Sequence, residues 1–361
     1  MKKLERSLGL GAVVAISISA MIGSGIFVLP GIAAIQAGPT IWLAYLVSAL
    51  CVLPAAISKS ELATAMPTSG GTYVYLERTF GPLAGTVSGL GLWLSLLLKC
   101  AFALVGFGAY LSVLADVPLI QTSLILLVVI TILNIFGVSK VSGALKAVVI
   151  FSLMSVVVTC ALSVPTFNIE NLKPLFPNGM GGFFGATALV FVSFAGVTKI
   201  AAIAEEIKNP GVNLPRGILL SLLIVTILYS GVTFILMGTI PTEEVINNYK
   251  PIYTLALKVG GGIFASFIAV VAVLTMTSMA NAGILAASRF PFAMSRDKLL
   301  PSMIGKLSKQ FLTPTLSIIL SGLIVGVTII SLDVPKIAKY ASAFMLLIYI
   351  FENIAVIVLR E

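Results

Sequence analysis

Residues 15–30 read AISISAMIGSGIFVLP, an apolar stretch long enough to enter a membrane that is interrupted near its middle by Gly23-Ser24-Gly25. Glycine destabilises a helix interior by about 1 kcal/mol relative to alanine. Within lipid, an interrupted backbone is tolerated only where it lines a cavity or is buried in protein, because each unpaired N–H or C=O costs several kcal/mol. The stretch therefore predicts a membrane helix that breaks at mid-depth, and the break is a candidate binding site.

The composition is that of an integral membrane protein. Of 361 residues, 59% are hydrophobic and 10% are charged, whereas a soluble domain carries roughly 25% charged residues. The net charge of +9 comes from basic residues in short loops between apolar runs, and not from a patch interleaved with aromatic residues. We therefore expect one transmembrane domain over residues 1–361, with the lipid bilayer and not nucleic acid as its partner.

The chain is predicted to be all-α and polytopic. Apolar windows of about 20 residues are long enough to span a bilayer as helices. About ten such windows occur, near residues 9–35, 40–65, 83–114, 119–137, 143–164, 181–205, 215–240, 259–288, 314–331 and 337–359.

The loop charges predict the orientation in the membrane. Most basic residues, Lys59 among them, fall in loops on the side of the two termini. Loops on the other side contain fewer, namely Lys173, Lys250, Lys258, Lys336 and Lys339. By the positive-inside rule, both termini are cytoplasmic in a multi-pass protein of the cell membrane.

A second interruption is predicted in the sixth span, where Ala195-Gly196-Val197-Thr198 precedes Lys199. The first and sixth spans open two halves of five spans each, over residues 1–165 and 175–360. Because five is odd, the second half enters the membrane from the opposite side, which predicts an inverted repeat with its two breaks facing each other. Paired interruptions of this kind indicate the binding site of a transporter.

The first break offers both donors and acceptors. The N–H groups of Ser24–Ile26 open a half-helix whose positive dipole end suits a carboxylate, and glycine at 23 and 25 lets a ligand approach the backbone. The carbonyls of Met21 and Ile22 suit an ammonium group or sodium. Together they describe a zwitterion site. The alternative is a Gly-x-Gly motif used only for close helix crossing.

The sixth-span break offers the carbonyls of Val192, Phe194 and Ala195 to an ammonium group, while small residues such as Gly196 leave room for a side chain. Phe191 and Phe194 are candidates to line or gate the pocket. Alternatively, they face lipid or neighbouring helices.

Three motifs resemble the amino acid-polyamine-organocation permease family, in the right order across residues 1–360. They are MIGSGIF (21–27), ELATAMPTSGGTYVYLERTFGP (61–82) and AEEIKNPGVNLPRGI (204–218). The resemblance implies the five-plus-five inverted-repeat fold of the leucine-transporter class, alternating access, and an amino acid as the usual substrate. It also implies carboxylate binding at Gly23, Ser24 and Gly25.

The resemblance also bears on coupling. In some sodium-independent members a lysine of the fifth span takes the place of sodium, and the matching position here is Leu153. Thr277 and Ser278 match hydroxyl ligands of the sodium site in sodium-coupled relatives, alongside carbonyls of Ser19, Ile22 and Leu274. Alternatively, these hydroxyls bond to their own preceding helical turn. No other metal and no cofactor is expected.

Three ionisable residues lie at membrane depth. Lys99 and Lys199 fall near the middle of the third and sixth spans, where a charge is a functional candidate, here a proton carrier or an anion partner. Glu352 is the acidic residue deepest in the spans, and a structural pair with a lysine is the competing interpretation. Glu61 is expected to pair with Arg78 or Arg216, or to hold a closed gate.

The predicted function is that of a secondary active amino acid transporter that works by alternating access, coupled to protons or sodium or operating as an exchanger. The alternatives are an inorganic ion transporter of the cation-chloride type or a polyamine transporter on the same fold, and a channel. An enzyme is not expected, because the chain has no histidine, no acidic cluster in its spans and no Gly-Lys-Ser/Thr nucleotide loop.

Overall fold

A computed structural model describes residues 8–66, 72–137, 142–308, 310–311 and 313–360, without the side chains of 142–146, 198–199 and 201–206. The described residues are predominantly helical. Among them, the only β pairing is an isolated bridge between Leu8 and Ile207. The predicted all-α class is confirmed.

The helices follow one another with short connections. The α-helices of the described residues are α1 (Leu10–Met21), α2 (Ser24–Phe27), α3 (Leu29–Ala37), α4 (Ile41–Ala65), α5 (Thr72–Phe80), α6 (Pro82–Leu111), α7 (Leu119–Ile135), α8 (Ser142–Ser163), α9 (Gly179–Val190), α10 (Pro210–Thr239), α11 (Thr242–Val245), α12 (Pro251–Arg296), α13 (Thr315–Ser331) and α14 (Val334–Arg360). The 3₁₀ segments are Gly38–Thr40, Val164–Thr166, Ile169–Leu172 and Phe191–Glu206.

The protein is a multi-pass membrane protein. In the described part of the chain, seven helical stretches are long and apolar enough to cross a membrane, and three shorter apolar helices, α1, α7 and α13, accompany them. Each predicted span coincides with helical structure, and the first of them is divided into α1, α2 and α3. The predicted eighth span lies in α12, where Gly261 has a left-handed backbone (φ 71°) that separates residues 251–260 from 262–296.

Both ends of the described chain lie on one side of the molecule, here called the termini side. The Lys208 N–H donates to the Leu8 carbonyl at 2.8 Å, so the start of α1 adjoins the start of α10. At the same side, Arg360 near the end of α14 pairs with Glu61 near the end of α4, at 2.5 Å. The expected pairing of Glu61 with Arg78 or Arg216 is therefore wrong, because Arg360 binds both oxygens of the Glu61 carboxylate.

The opposite side is tied together by loop hydrogen bonds. The Asn178 amide donates to the Ile35 carbonyl at 2.9 Å, and the Asn168 N–H donates to the Gly238 carbonyl at 2.8 Å. Because α4 and α10 each have one end on either side, they cross the full depth of the protein.

The helices form two packed groups. The bundle consists of α1, α4, α10 and the sixth span (α9 with its 3₁₀ continuation), which pack mainly against one another. The scaffold is built on α6, which packs against α5, α7, α12 and α13, with α8 against α12. The last helix, α14, contacts α6 and α5 on one side and α4 and the sixth span on the other, so it bridges the two groups.

Glycines allow the bundle helices to cross closely. A Cβ added at Gly196 would overlap the carbonyl of Ala20, and one added at Gly217 would overlap Val13. Small residues at such crossings bring backbones together in membrane proteins. The sixth span and α10 therefore both pack directly on α1.

We expect Gly196→Ala to disrupt the crossing of the sixth span with α1, because the neighbouring atoms are backbone and cannot swing away. Overpacking of this kind costs on the order of 1–3 kcal/mol. Gly231→Ala is the matched control, because nothing lies within 4 Å of an added Cβ there, and alanine favours a helix by up to about 1 kcal/mol. Melting temperatures of the purified variants check this; equal destabilisation by both substitutions would contradict it.

Candidate functional site

The first span is interrupted where the sequence predicts. α1 ends at Met21, and Ile22 (φ −69°, ψ 127°) and Gly23 (φ 160°, ψ −132°) are extended. Helical structure resumes at Ser24 and continues through α2 and α3. Peptide groups that a continuous helix would pair internally are therefore released at this point.

Two tyrosines of the bundle donate hydrogen bonds to backbone carbonyls at the break. The Tyr229 hydroxyl of α10 donates to the Met21 carbonyl at 2.8 Å, and the Tyr45 hydroxyl of α4 donates to the Gly25 carbonyl at 2.6 Å. Both side chains are fully buried. Their rings lie 5.4 Å apart, and the ring of Phe194 from the sixth span packs against both.

Two side chains of the scaffold helix α6 also donate hydrogen bonds to backbone carbonyls near the break. The Tyr110 hydroxyl donates to the Phe27 carbonyl at 2.7 Å. The Lys99 ammonium group, 5% exposed, donates to the Ala20 carbonyl at 3.3 Å. The Lys99 side chain thus ends at the carboxyl end of α1, where the negative end of the helix dipole favours a positive charge.

The backbone N–H groups at the break have fewer hydrogen-bond partners than the carbonyls. The Ile26 N–H, expected to face a ligand, donates to the Gly23 carbonyl within its own turn, at 3.1 Å. For the N–H groups of Gly23, Ser24 and Gly25, no acceptor is found among the residues that the structure describes. The break therefore has its carbonyls largely occupied by side-chain donors and three consecutive donors available.

Met279 of α12 covers these donors, and sequence reasoning missed it. The Ser24 hydroxyl lies 3.7 Å from the Met279 sulfur, and a Cβ added at Gly23 would overlap the same sulfur. Methionine is flexible and polarizable, and it fills irregular spaces readily. The available signal was its position directly after Thr277 and Ser278, which the sequence analysis assigned to a sodium site.

The sixth span changes helix type and does not unwind. α9 ends at Val190, and Phe191–Glu206 continues as a 3₁₀ helix. The predicted interruption at 195–198 is therefore wrong in form, and the change begins earlier in the chain. The reason is that the tighter 3₁₀ turn keeps internal hydrogen bonds while Gly196 still allows contact with Ala20.

The sixth span nevertheless lies against the first break. The Ser193 side chain faces Gly25, where an added Cβ would be 2.8 Å from its hydroxyl oxygen. Val192 donates its N–H to the Ser342 hydroxyl of α14 at 3.1 Å. Phe191 is buried and packs on Tyr349 at 5.4 Å. Phe191 and Phe194 therefore pack against neighbouring helices, as the alternative interpretation allowed, and neither faces lipid. Ala195, buried, completes this stretch of the span.

The proposed sodium ligands bond mainly within their own helices. The Ser19 hydroxyl donates to the Ile16 carbonyl at 2.8 Å, and the Thr277 hydroxyl donates to the Val273 carbonyl at 2.8 Å. Leu274 is 50% exposed at the outer surface of α12. Ser278 is half-buried and next in sequence, and Ile22 lies at the break itself. Sodium binding here stays a prediction.

The buried acidic residue has a lysine partner. Glu352 of α14 forms an ion pair with Lys59 of α4 at 2.7 Å. The assignment of Lys59 to a loop is therefore wrong: it lies inside α4 and is 4% exposed, because α4 extends to Ala65. The side chain of Lys199 lies outside the described residues.

A cavity of about 330 Å³ lies away from the break, between α6, α13 and α14, and its walls are mainly apolar. At the break itself, the side chains of Met279 and Ser193 lie against Gly23 and Gly25. The cavity is lined by Leu94, Leu97, Leu98, Ile324, Thr328, Tyr340 and Phe344.

This architecture defines a polytopic helical membrane protein with an interrupted first span held between two helix groups, which is the arrangement of a carrier. A family model described as "Amino acid permease" matches residues 8–361. The chain belongs to this family and is a secondary amino acid transporter.

Several curated relatives match nearly the whole chain. It is 31% identical to the branched-chain amino acid permease BcaP of Bacillus subtilis (strain 168), over 100% of this chain and 82% of the relative. It is 29% identical to the methylthioribose transporter of the same organism, with the same coverage. It is 27% identical to cationic amino acid transporter 2, vacuolar, of Arabidopsis thaliana, over 99% of this chain and 60% of the relative.

We expect Tyr229→Phe to weaken the break by leaving the buried Met21 carbonyl without its donor. An unsatisfied buried polar group costs about 1–3 kcal/mol. Tyr340→Phe is the control, because Tyr340 is 46% exposed. The melting temperature and the rate of substrate uptake should both fall for Tyr229→Phe and stay unchanged for Tyr340→Phe. A wild-type melting temperature in Tyr229→Phe would show that the hydrogen bond to Met21 contributes nothing to stability.

Proposed function

We propose that this protein carries a neutral α-amino acid with an apolar side chain across the cell membrane, and holds the carboxylate of its substrate at the N–H groups of Gly23, Ser24 and Gly25. The observation that carries this proposal is that the carbonyls at the break are paired more fully than its N–H groups. Carbonyls there accept from buried side chains, whereas these three N–H groups have no acceptor among the described residues.

An anion is the ligand that this imbalance favours. Successive N–H groups at the start of a helical segment form a concavity that binds anions, and the dipole of the segment adds to the attraction. Ser24 is 1% exposed, and electrostatic interactions are stronger in such a poorly hydrated environment than in water. A carboxylate placed here also gains from the positive charge of Lys99 nearby.

The surroundings favour a neutral, apolar substrate side chain. The side chains that the structure places around the break include Met279, Ile26, Phe27 and Phe194. Lys99 is cationic and would repel a polyamine or a cationic side chain. The name of the Bacillus subtilis relative, a branched-chain amino acid permease, supports the same class, and the carbonyls of Ile22, Val192, Phe194 and Ala195 are the candidates for the substrate ammonium group.

For coupling, we favour protons or exchange over sodium. The Lys99 ammonium group stands at the carboxyl end of α1, where a bound sodium ion would also have to sit, and two of the proposed hydroxyl ligands already donate to their own helices. Two like charges at one helix end would repel each other.

Transport would proceed by rocking of the bundle against the scaffold, as an inverted repeat over residues 1–165 and 175–360 allows. The termini side would face the cytoplasm, as the loop charges predict. No covalent step is involved. An inorganic ion carrier or a channel is the rival, because released peptide groups also bind ions.

Ser24→Pro tests the carboxylate site directly. Proline lacks the N–H but suits the first position of a helical segment, and Ser24 is the first residue of α2. A hydrogen bond to a charged group contributes about 1.5–3 kcal/mol, so we expect binding of radiolabelled leucine to weaken by roughly 10- to 100-fold. Ser24→Ala, which keeps the N–H, is the control and should bind like wild type. Unchanged affinity in a folded Ser24→Pro protein would refute the site.

Uptake by proteoliposomes tests the transport activity and its coupling. We expect saturable leucine uptake with counterflow, and the same rate when sodium is replaced by choline, because Lys99 supplies the positive charge at α1. Sodium stimulation that disappears in Thr277→Ala would instead support the sodium site. Ion flux without any amino acid uptake or exchange would favour the inorganic ion rival, and flux that does not saturate would favour a channel.

A further inference from the structure

An ion pair secluded from solvent joins the bundle to the scaffold on the termini side. Lys59 belongs to α4 of the bundle, and Glu352 belongs to α14, which packs on the scaffold helices α5 and α6. Their charged groups are 2.7 Å apart, and the two residues are 4% and 0% exposed. The pair therefore lies inside the contact between the two helix groups.

A scaffold hydroxyl completes the cluster. The Lys59 ammonium group donates to the Thr72 hydroxyl, which in turn donates to the same Glu352 oxygen that Lys59 contacts. Thr72 opens α5, which packs on α6. The cluster thus connects the bundle helix α4 to α5 of the scaffold and to α14, the helix that bridges the two groups.

Tyr75 lies one turn further along α5, and its phenol is buried. Burial and the negative charge of Glu352 both raise the pKa of Tyr75, so this neighbour stays neutral. The second oxygen of Glu352 and the Tyr75 hydroxyl have no hydrogen-bond partner among the described residues. Lys59 and Thr72 are thus the groups seen to compensate the Glu352 charge.

Separating this pair is much costlier than separating an exposed one. Removing one partner of a buried ion pair leaves an uncompensated charge in a poorly hydrated site, whereas replacing both partners together is often neutral. A second pair between the same helices, Glu61 with Arg360, has side chains 40% and 67% exposed. Exposed pairs of that kind contribute little to stability. The two pairs thus join the same two helices but differ in burial.

We propose that Lys59 and Glu352, with Thr72, are positioning residues that hold the termini side of the transport path closed. This inference rests on the proposed function, because rocking of the bundle matters only in a carrier. When the bundle moves away from α5 and α14 on this side, Lys59 must leave both Thr72 and Glu352. The pair therefore favours the state that opens to the opposite side.

The test compares four proteins with wild type: Lys59→Met, Glu352→Gln, the exchanged pair Lys59→Glu with Glu352→Lys, and the control Glu61→Gln. The first readout is the KM for leucine presented at the opposite side of oriented proteoliposomes, together with kcat. A smaller population of the competent state raises the apparent KM in proportion. We expect about a tenfold rise in both single variants, with kcat changed less, recovery in the exchanged pair, and wild-type values in Glu61→Gln.

The second readout needs no substrate. Ser60 neighbours Lys59 on α4 and is 6% exposed. With Ser60→Cys added to each protein, we expect a membrane-impermeant maleimide applied at the termini side to react faster in the single variants, and at the original rate in the exchanged pair. The same proteins without Ser60→Cys give the background from Cys51, Cys100 and Cys160.

The following outcomes would overturn the gate. A lower melting temperature with unchanged KM and unchanged labelling would show a structural role alone. A shift that the exchanged pair does not reverse, or that Glu61→Gln shares, would show that the buried pair is not its cause. Should wild type neither bind nor move leucine while labelling changes as expected, the proposed substrate fails and the gate stands.

Discussion

The structure depends on the requirement that peptide groups inside a membrane find hydrogen-bond partners within the protein. Interrupting the first span at Gly23 releases several of these groups at once. Side chains from three other helices meet that demand on the acceptor side, with Tyr45 from α4, Tyr110 and Lys99 from α6, and Tyr229 from α10. The break is stable because donors on neighbouring helices form hydrogen bonds with its released carbonyls.

The neighbouring side chains pair carbonyls at the break but not its N–H groups, and this determines which ligand the break favours. The hydroxyl and ammonium groups at the break donate to carbonyls, and among the described residues none of them accepts from the N–H groups of Gly23, Ser24 or Gly25. The amides of Gly23, Ser24 and Gly25 stay available, beneath the movable side chain of Met279. A peptide surface rich in donors and poor in free acceptors is complementary to a carboxylate, which accepts hydrogen bonds only.

The same requirement shapes the interface between bundle and scaffold. Apolar helix surfaces slide past one another at little cost in lipid, so the contacts that resist movement are polar and buried. Two examples are the Lys99 contact to Ala20 at mid-depth and the Lys59 ion pair with Glu352 nearer the termini side. Both join α6 or α14 to bundle helices, at different depths along the direction in which a rocking motion would open the protein.

The sequence by itself determined the all-α class, the helical stretches that coincide with the predicted spans and the position of the first break, because apolar length and the glycines around Ser24 act locally. It did not determine the form of the sixth span, which continues as a 3₁₀ helix from Phe191 and packs on α1 at Gly196. Nor did it reveal Met279 over the break, or Lys59 as the partner of Glu352. Those pairings join residues far apart in the chain, and only the tertiary packing of separate helices decides which polar groups share a site that water does not reach.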